Sequence, residues 1–413
     1  MGRLRLALLG FAAALIAACG GGGSAGSIGP ESCSDCGTAL LTMTDAAGDF
    51  LSYTVDVTSL QLKKANGTMV QTIPASSRID FTQLVDLSEV LSAGQIPSGE
   101  YVAATLGVDF SNADIVVDDG TGNGVQVSPV DANGQPLGHV DLTVQLDNSH
   151  HLLINRGRVS QLAFDVDIAA SNTVDLGAHT VTVSPVIVAS VQPAGDRQVR
   201  ARGRLASVDV SGSSYTINLR PFEDAADSSG QLVIHTTGST RFEINGTVSS
   251  GADGLTQLAA LTGNPVTIAF GSVDTASMSF TATRVLAASS AEDLKLDYLS
   301  GSVLARAGNT LTVGGVRVGR HGGSSAFDLG HVGVTVGAGT VVTRDGQGSG
   351  TMGIGDISVG QHIEAYGNFS DDGSGHATLD ATAGRVRLNY THLFGAVAVK
   401  AATSVTLTLQ DID

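Results

Sequence analysis

Tryptophan is absent from this chain, and all aromatic residues together make up only 4% of it. Single-stranded nucleic acid is held on aromatic platforms set among Lys and Arg, and carbohydrate readers use flat exposed rings in the same way. Both kinds of platform are poorly supplied here. Basic residues are also few: 22 Lys and Arg stand against 39 Asp and Glu, a net charge of −17. That balance repels phosphate backbones and anionic headgroups and favours solubility, so no nucleic-acid partner is expected. Cysteine occurs only at positions 19, 33 and 36. One C-x-x-C without a second cannot build a four-cysteine zinc site, and three cysteines are too few for a disulfide framework. No apolar run approaches the ~20 residues that a membrane-spanning helix needs. Neither H-E-x-x-H nor H-x-H occurs, and the adjacent His150 and His151 would face opposite ways on a strand.

What is present begins at the N-terminus. Arg3 and Arg5 form a basic segment, Leu6 to Ala18 an apolar one, and Leu15-Ile16-Ala17-Ala18-Cys19 closes it. The order of an aliphatic residue, two small residues and a cysteine resembles a bacterial lipoprotein signal. The resemblance implies that residues 1–18 are removed and that Cys19 becomes a lipidated N-terminus. Each buried methylene of such a lipid contributes ~0.8 kcal/mol, so several acyl chains hold a protein firmly on a bilayer. Gly20 after the cysteine, rather than Asp, is compatible with export to an outer membrane where the host has two membranes. Loss of Arg3 and Arg5, with no acid among the first eighteen residues, takes the charge from −17 to −19.

Residues 19–37 are rich in Gly and Ser and are expected to form a flexible tether. Gly22 to Gly26 matches G-x-S-x-G, but low-complexity glycine provides neither the strand nor the helix of a nucleophile elbow. Cys33 and Cys36 are expected to pair as a local disulfide in an oxidising compartment, with a redox pair as the lesser reading. Likewise Gly348 to Gly353 fits G-x-G-x-x-G but has no βαβ unit around it, so it reads as a loop.

From Thr38 onward alternation of apolar and polar residues predicts strands, as in Thr54 to Leu62, Val140 to Leu146, Val159 to Ile168 and Thr180 to Val188. Asn66-Gly67 predicts a hairpin turn. One helix is expected at Phe81 to Ala93, where Leu84, Leu87, Val90 and Leu91 recur at helical spacing before Gly94. Asp165 and Asp167 alternate with Phe164, Val166 and Ile168 and read as the solvated side of a strand. The acidic turns Asp118 to Gly124, Asp131 to Gly134 and Asp371 to Gly373 offer oxygen ligands of the kind Ca²⁺ prefers. None has the spacing of a calcium loop, and turns use Asp, Asn and Gly for backbone reasons alone. No cofactor is assigned, with Ca²⁺ kept as the one open question.

Leu41-Thr42-Met43-Thr44-Asp45-Ala46-Ala47-Gly48-Asp49, Ile96-Pro97-Ser98-Gly99-Glu100-Tyr101 and Phe164-Asp165-Val166-Asp167 follow one another in order. This region resembles an uncharacterised domain family of bacterial and archaeal lipoproteins whose function is unknown. Ala47 stands where that family usually has proline. The G-x-Y turn also occurs in transthyretin-like modules, and the resemblance implies a β-sandwich over 38–195. Beyond it the chain repeats. Gly203-Arg204-Leu205-Ala206-Ser207-Val208, Gly301-Ser302-Val303-Leu304-Ala305 and Gly395-Ala396-Val397-Ala398-Val399 each precede a second alternating run, with starting glycines 98 and 94 apart. Gly263 to Ile268 parallels Gly360 to Ala365, and Thr283-Arg284-Val285 parallels Gly384-Arg385-Val386. This order is similar to a second lipoprotein-associated family of unknown function, built of small β-barrels resembling OB folds.

The expected fold is therefore all-β: a sandwich at 38–195, OB-like barrel repeats at 196–298 and 299–390, and residues 391–413 as a partial third repeat or an edge-covering hairpin. Edge covering is the reading adopted, because exposed strand edges need cover. The six tyrosines, mostly on strands, are expected to pack with their hydroxyls satisfied. No Ser/His/Asp arrangement or paired-carboxylate motif stands out, so no catalytic residue is assigned. The functional expectation is a non-catalytic, lipid-anchored cell-envelope lipoprotein that binds or scaffolds an envelope protein or polysaccharide. A calcium-dependent adhesive or polysaccharide-binding module is the alternative, and an envelope hydrolase with an unmarked active site is a third reading.

Overall fold

The computed structural model describes residues 33–412 except 46–49, 75, 85–86, 120–123, 147–150, 185–186, 192–197, 221–227, 275–276, 278, 292–295, 320–324, 345–350, 372–376 and 391–392. The chain is all-β, as its alternation predicts, with two short α-helices.

The first part contains β1 (Cys36–Asp45), β2 (Phe50–Lys64), β3 (Met69–Gln71), β4 (Ser77–Asp80), β5 (Leu87–Pro97), β6 (Gly99–Asp118) and β7 (Gly124–Val130). These are followed by β8 (His139–Gln145), β9 (Leu152–Ile154), β10 (Val159–Val166), α1 (Ile168–Ser171), β11 (Asn172–Asp175), β12 (Thr180–Val183) and β13 (Ile187–Val191). One layer runs β13-β10-β1-β5, and the other is built on the long β2–β6 ribbon with β3, β4, β7, β8, β9, β11 and β12 beside it. Alternation explains the layering. Leu41 and Met43 on β1 and Leu162, Phe164 and Val166 on β10 share one buried core with Val55, Val57, Leu60 and Leu62 on β2 and with Leu106 and Ile115 on β6. The hairpin at Asn66-Gly67 forms as expected: Gly67 takes φ +89°, the left-handed region, and its N–H donates to the Lys64 carbonyl at 2.9 Å.

The helix expected over Phe81 to Ala93 does not form. Phe81–Leu84 makes a single 3₁₀ turn, and Leu87 onward is β5. The cause is burial on both faces. β5 lies between β1 and the following unit, so Leu91 packs into the sandwich core while Val90 and Ala93 pack into the next one. A bulge at this point, opposite Leu41/Thr42, places the adjacent apolar residues on different sides. A continuous apolar run of this length reads alike as a buried strand or a helix.

The second part contains β14 (Gln198–Asp209), β15 (Ser214–Leu219), β16 (Gln231–His235), β17 (Arg241–Ile244), β18 (Thr247–Ser250), α2 (Gly251–Ala259), β19 (Val266–Asp274) and β20 (Ser279–Ala287). Strands β14-β15-β16-β20-β19 pair in that order, and β19 pairs back to β14, closing a five-stranded ring. The third part contains β21 (Asp297–Ala307), β22 (Thr310–Gly319), β23 (Ser325–Thr335), β24 (Val341–Arg344), β25 (His362–Asp371) and β26 (Ala377–Leu388). Here β21-β22-β23-β26-β25 closes back onto β21 in the same pairing order. Each ring carries one further parallel strand, β17 on β20 and β24 on β26. Leu255 and Leu258 of α2 join the first ring's core, while Ile357, just after a 3₁₀ turn, joins the second ring's core.

The sandwich and the first ring share a sheet. β5 pairs with β14 in parallel, Leu87 to Glu89 against Gln198 to Arg200, and Leu40, Val90 and Ala93 contribute to the first ring's core. The sequence boundary at 298/299 falls inside β21. The last strands, β27 (Leu393–Lys400) and β28 (Val405–Ile412), form a two-stranded sheet of their own. Among the described residues they cover no edge of either ring, which corrects the edge-covering expectation.

Candidate functional site

The buried ionic chemistry of the described residues is concentrated where one unit meets the next. At the first junction Glu89 of β5 is wholly buried. Arg200 Nε donates to one carboxylate oxygen at 2.5 Å and Arg202 Nε to the other at 2.8 Å. The two arginines lie two positions apart on β14, so strand alternation puts both on one face, and the parallel β5–β14 pairing brings that face to Glu89. Burial, reinforced by the Arg202 charge, lowers the Arg200 pKa below the usual guanidinium range, while Glu89 opposes the shift. A guanidinium nonetheless stays charged at neutral pH.

The second junction joins the two rings. Arg385 and Arg387, again two positions apart on β26, reach Glu243 of β17 at 2.5 and 3.5 Å. Arg385 Nη1 also donates to Ser290 Oγ at 3.0 Å, and that hydroxyl accepts the Gly246 N–H at 2.8 Å. Arg387 Nη1 donates to Glu364 Oε2 at 2.9 Å, an oxygen that also accepts the Tyr366 hydroxyl at 3.0 Å. The Tyr366 and Tyr298 rings lie 6.0 Å apart. Desolvation would raise the Glu243 pKa, but Arg387 and then Arg385 outweigh it and hold the carboxyl below its ordinary range. Glu364 is held down in the same way, desolvation being overcome chiefly by Arg387.

The rings differ at the positions that meet. Pairing aligns Glu243 with Leu286 in the first ring and Thr343 with Arg387 in the second. The equivalent sites thus carry Glu/Leu in one unit and Thr/Arg in the other, so the acid of one copy faces the arginines of the next. The sequence parallel between Arg284 and Arg385 stopped one residue short of this signal, which lay in the differences between the copies.

Several expected features are placed by the structure. Cys33 and Cys36 are joined by a disulfide at the start of β1. Asp131 Oδ1 accepts the N–H groups of Asn133 and Gln135 at 2.8 and 2.9 Å. Those backbone hydrogen bonds hold its carboxyl below the usual range and occupy it as a turn residue. Asp118 and Asp371 end β6 and β25. No group of three or more His, Cys, Asp and Glu placed to hold a metal ion occurs among the described residues. His151 Nδ1 contacts Glu100 Oε1 at 2.5 Å.

Asp165 and Asp167 do not share a solvated face. β10 ends at Val166, Asp167 accepts the Ala170 N–H as the cap of α1, and Asp165 Oδ1 is buried without a hydrogen-bond partner. Three tyrosines have partners on the protein: Tyr101 donates to the Pro97 carbonyl at 2.7 Å, Tyr53 to Asn172 Oδ1 at 3.1 Å, and Tyr366 to Glu364. Burial pushes the Tyr101 pKa up to about 12. Tyr215 departs from the expectation, since its buried hydroxyl finds no partner and burial pushes its pKa still higher. Residues 1–32 lie outside the described residues, and with them Cys19 and the Gly22 to Gly26 match; so do His150, Gly120 to Asn123, Gly348 to Gly350, Asp372 and Gly373.

A cavity of about 20 Å³ opens among Tyr53, Phe81, Leu106, Val108 and Phe110 in the sandwich. That is room for about one water. No curated protein and no solved structure matches the chain. Residues 36–185, which span β1 to β12, match the model of the family described as a domain of unknown function, DUF4382.

Proposed function

We propose that this chain is a lipid-anchored lipoprotein of the cell envelope with a non-catalytic, scaffolding role: a sandwich and two OB-like units held as one body on a tether from Cys19. The observation that carries the anchor is the sequence Leu15-Ile16-Ala17-Ala18-Cys19-Gly20 behind a basic, apolar leader. The scaffolding reading draws support from the use of the buried charges. Shifted ionisation often marks reactive groups. Here Glu243, Glu364 and Arg200 spend it on partners in the junctions rather than on an open cleft. The acidic surface suits a soluble body displayed beside a membrane, and Gly20 favours the outer membrane in a host that has one.

Metabolic labelling with radioactive palmitate tests the anchor. The wild-type chain is expected to take up label and to accumulate as a precursor under globomycin, and Cys19→Ala is expected to lose the label. Equal labelling of both chains, or a wild-type chain recovered entirely in the soluble fraction, overturns the reading.

A further inference from the structure

We propose that the β27–β28 hairpin is a docking surface for a second copy of this chain, hairpin against hairpin. Three hairpins of related sequence begin the three repeats: β14–β15, β21–β22 and β27–β28. Each is bulged at the same place, directly after Leu205, Val303 and Val397 respectively. In the two rings the residue before the bulge faces a partner across the hairpin, Leu205 opposite Ile217 and Val303 opposite Val313. All four are buried core residues. The third hairpin keeps the register, Val397 opposite Leu407, but Val397 is 61% exposed. Val399 and Val405 are 58% and 57% exposed. The hairpin therefore presents to solvent the face that its two counterparts bury.

Such a hairpin wants a partner on physical grounds. Two strands alone are marginal in water, and their unpaired edges template further pairing. Among the described residues β27 and β28 pair only with each other.

The features that select a second copy are charge and precedent. Lys400 sits at the turn end, opposite Val405, and Asp411 near the open end, opposite Phe394. A two-fold, antiparallel arrangement lays one hairpin's valines on the other's and brings position 400 of each copy beside position 411 of its partner. A two-fold contact uses the same patch on both sides, as this pattern requires. Within the chain the rings already associate through corresponding strands, β17 of one against β26 of the other. The proposal is independent of the lipid anchor, and its test removes the lipid.

Sedimentation equilibrium of the chain from residue 19 with Cys19→Ala, which retains every described residue, reads the association directly. A monomer–dimer equilibrium in the micromolar range is expected. Val397→Asp, which forces a charge into the apolar contact, is expected to weaken it at least about tenfold. Its melting temperature should be unchanged, because the hairpin lies outside the three cores. Lys400→Glu is expected to weaken association too, and mixing it with Asp411→Lys to restore a heterodimer. A chain that stays monomeric, a dimer indifferent to Val397→Asp, or a mixture that fails to restore pairing overturns the proposal. A monomer would leave the face to a different protein.

Discussion

Glu243 is the residue on which the ring–ring junction turns, because one carboxylate serves two arginines from a strand 142 and 144 residues away. Removing one partner from a buried ion pair leaves the other's charge desolvated, at a cost of about 3–5 kcal/mol. Glu243→Gln is expected to lower stability by that order in urea unfolding. Arg78→Ala, which breaks the half-exposed pair with Asp56, should cost no more than about 1 kcal/mol. The same carboxyls set the pH response. Glu243 and Glu364 have folded pKa values below their ordinary 4.5. Their contribution is therefore complete above that value and is lost as pH falls through the lower, folded ones. Stability at neutral pH should be flat in this respect, with the loss confined to acid and reduced in Glu243→Gln. Little of this was legible at the residue scale. Asn66-Gly67 could be read because its turn is settled by adjacent residues. The pairing of Glu243 with Arg385 depends on how two closed rings meet, and no local pattern records that.

At the scale of elements, period-2 alternation carried most strands into the structure, and it failed where a strand is buried on both faces. β5 shows why: its apolar residues serve two cores, so the polar positions that mark a strand's period are few, and a bulge imitates helical spacing. The real helix of the first ring, α2, was missed. It runs only from Gly251 to Ala259 and carries two glycines, residues that disfavour helix interiors by about 1 kcal/mol relative to Ala. Packing explains one of them. A Cβ at Gly254 would run into the Phe242 ring of β17. Gly254→Ala should therefore destabilise, by about 1–3 kcal/mol as overpacked cores do, despite its better helix propensity. Thermal unfolding followed by circular dichroism checks this, and a raised melting temperature would contradict the packing of α2 on Phe242.

The whole molecule is less modular than its sequence. The repeat spacing made the two rings legible, and the resemblance of the first part anticipated a domain of unknown function there. Neither revealed that β5 and β14 run the sandwich sheet into the first ring, nor that buried charges close both junctions. Chains of separate domains unfold in separate steps. The account developed here makes the opposite claim: the sandwich and both rings are one cooperative body, joined through Glu89 and Glu243. Differential scanning calorimetry of the chain from residue 19 with Cys19→Ala at neutral pH tests it most directly. The account predicts a single transition whose van't Hoff and calorimetric enthalpies agree, and one that splits in Glu243→Gln as the second ring melts first. Two or more resolved transitions in the chain with Glu243 intact would contradict it.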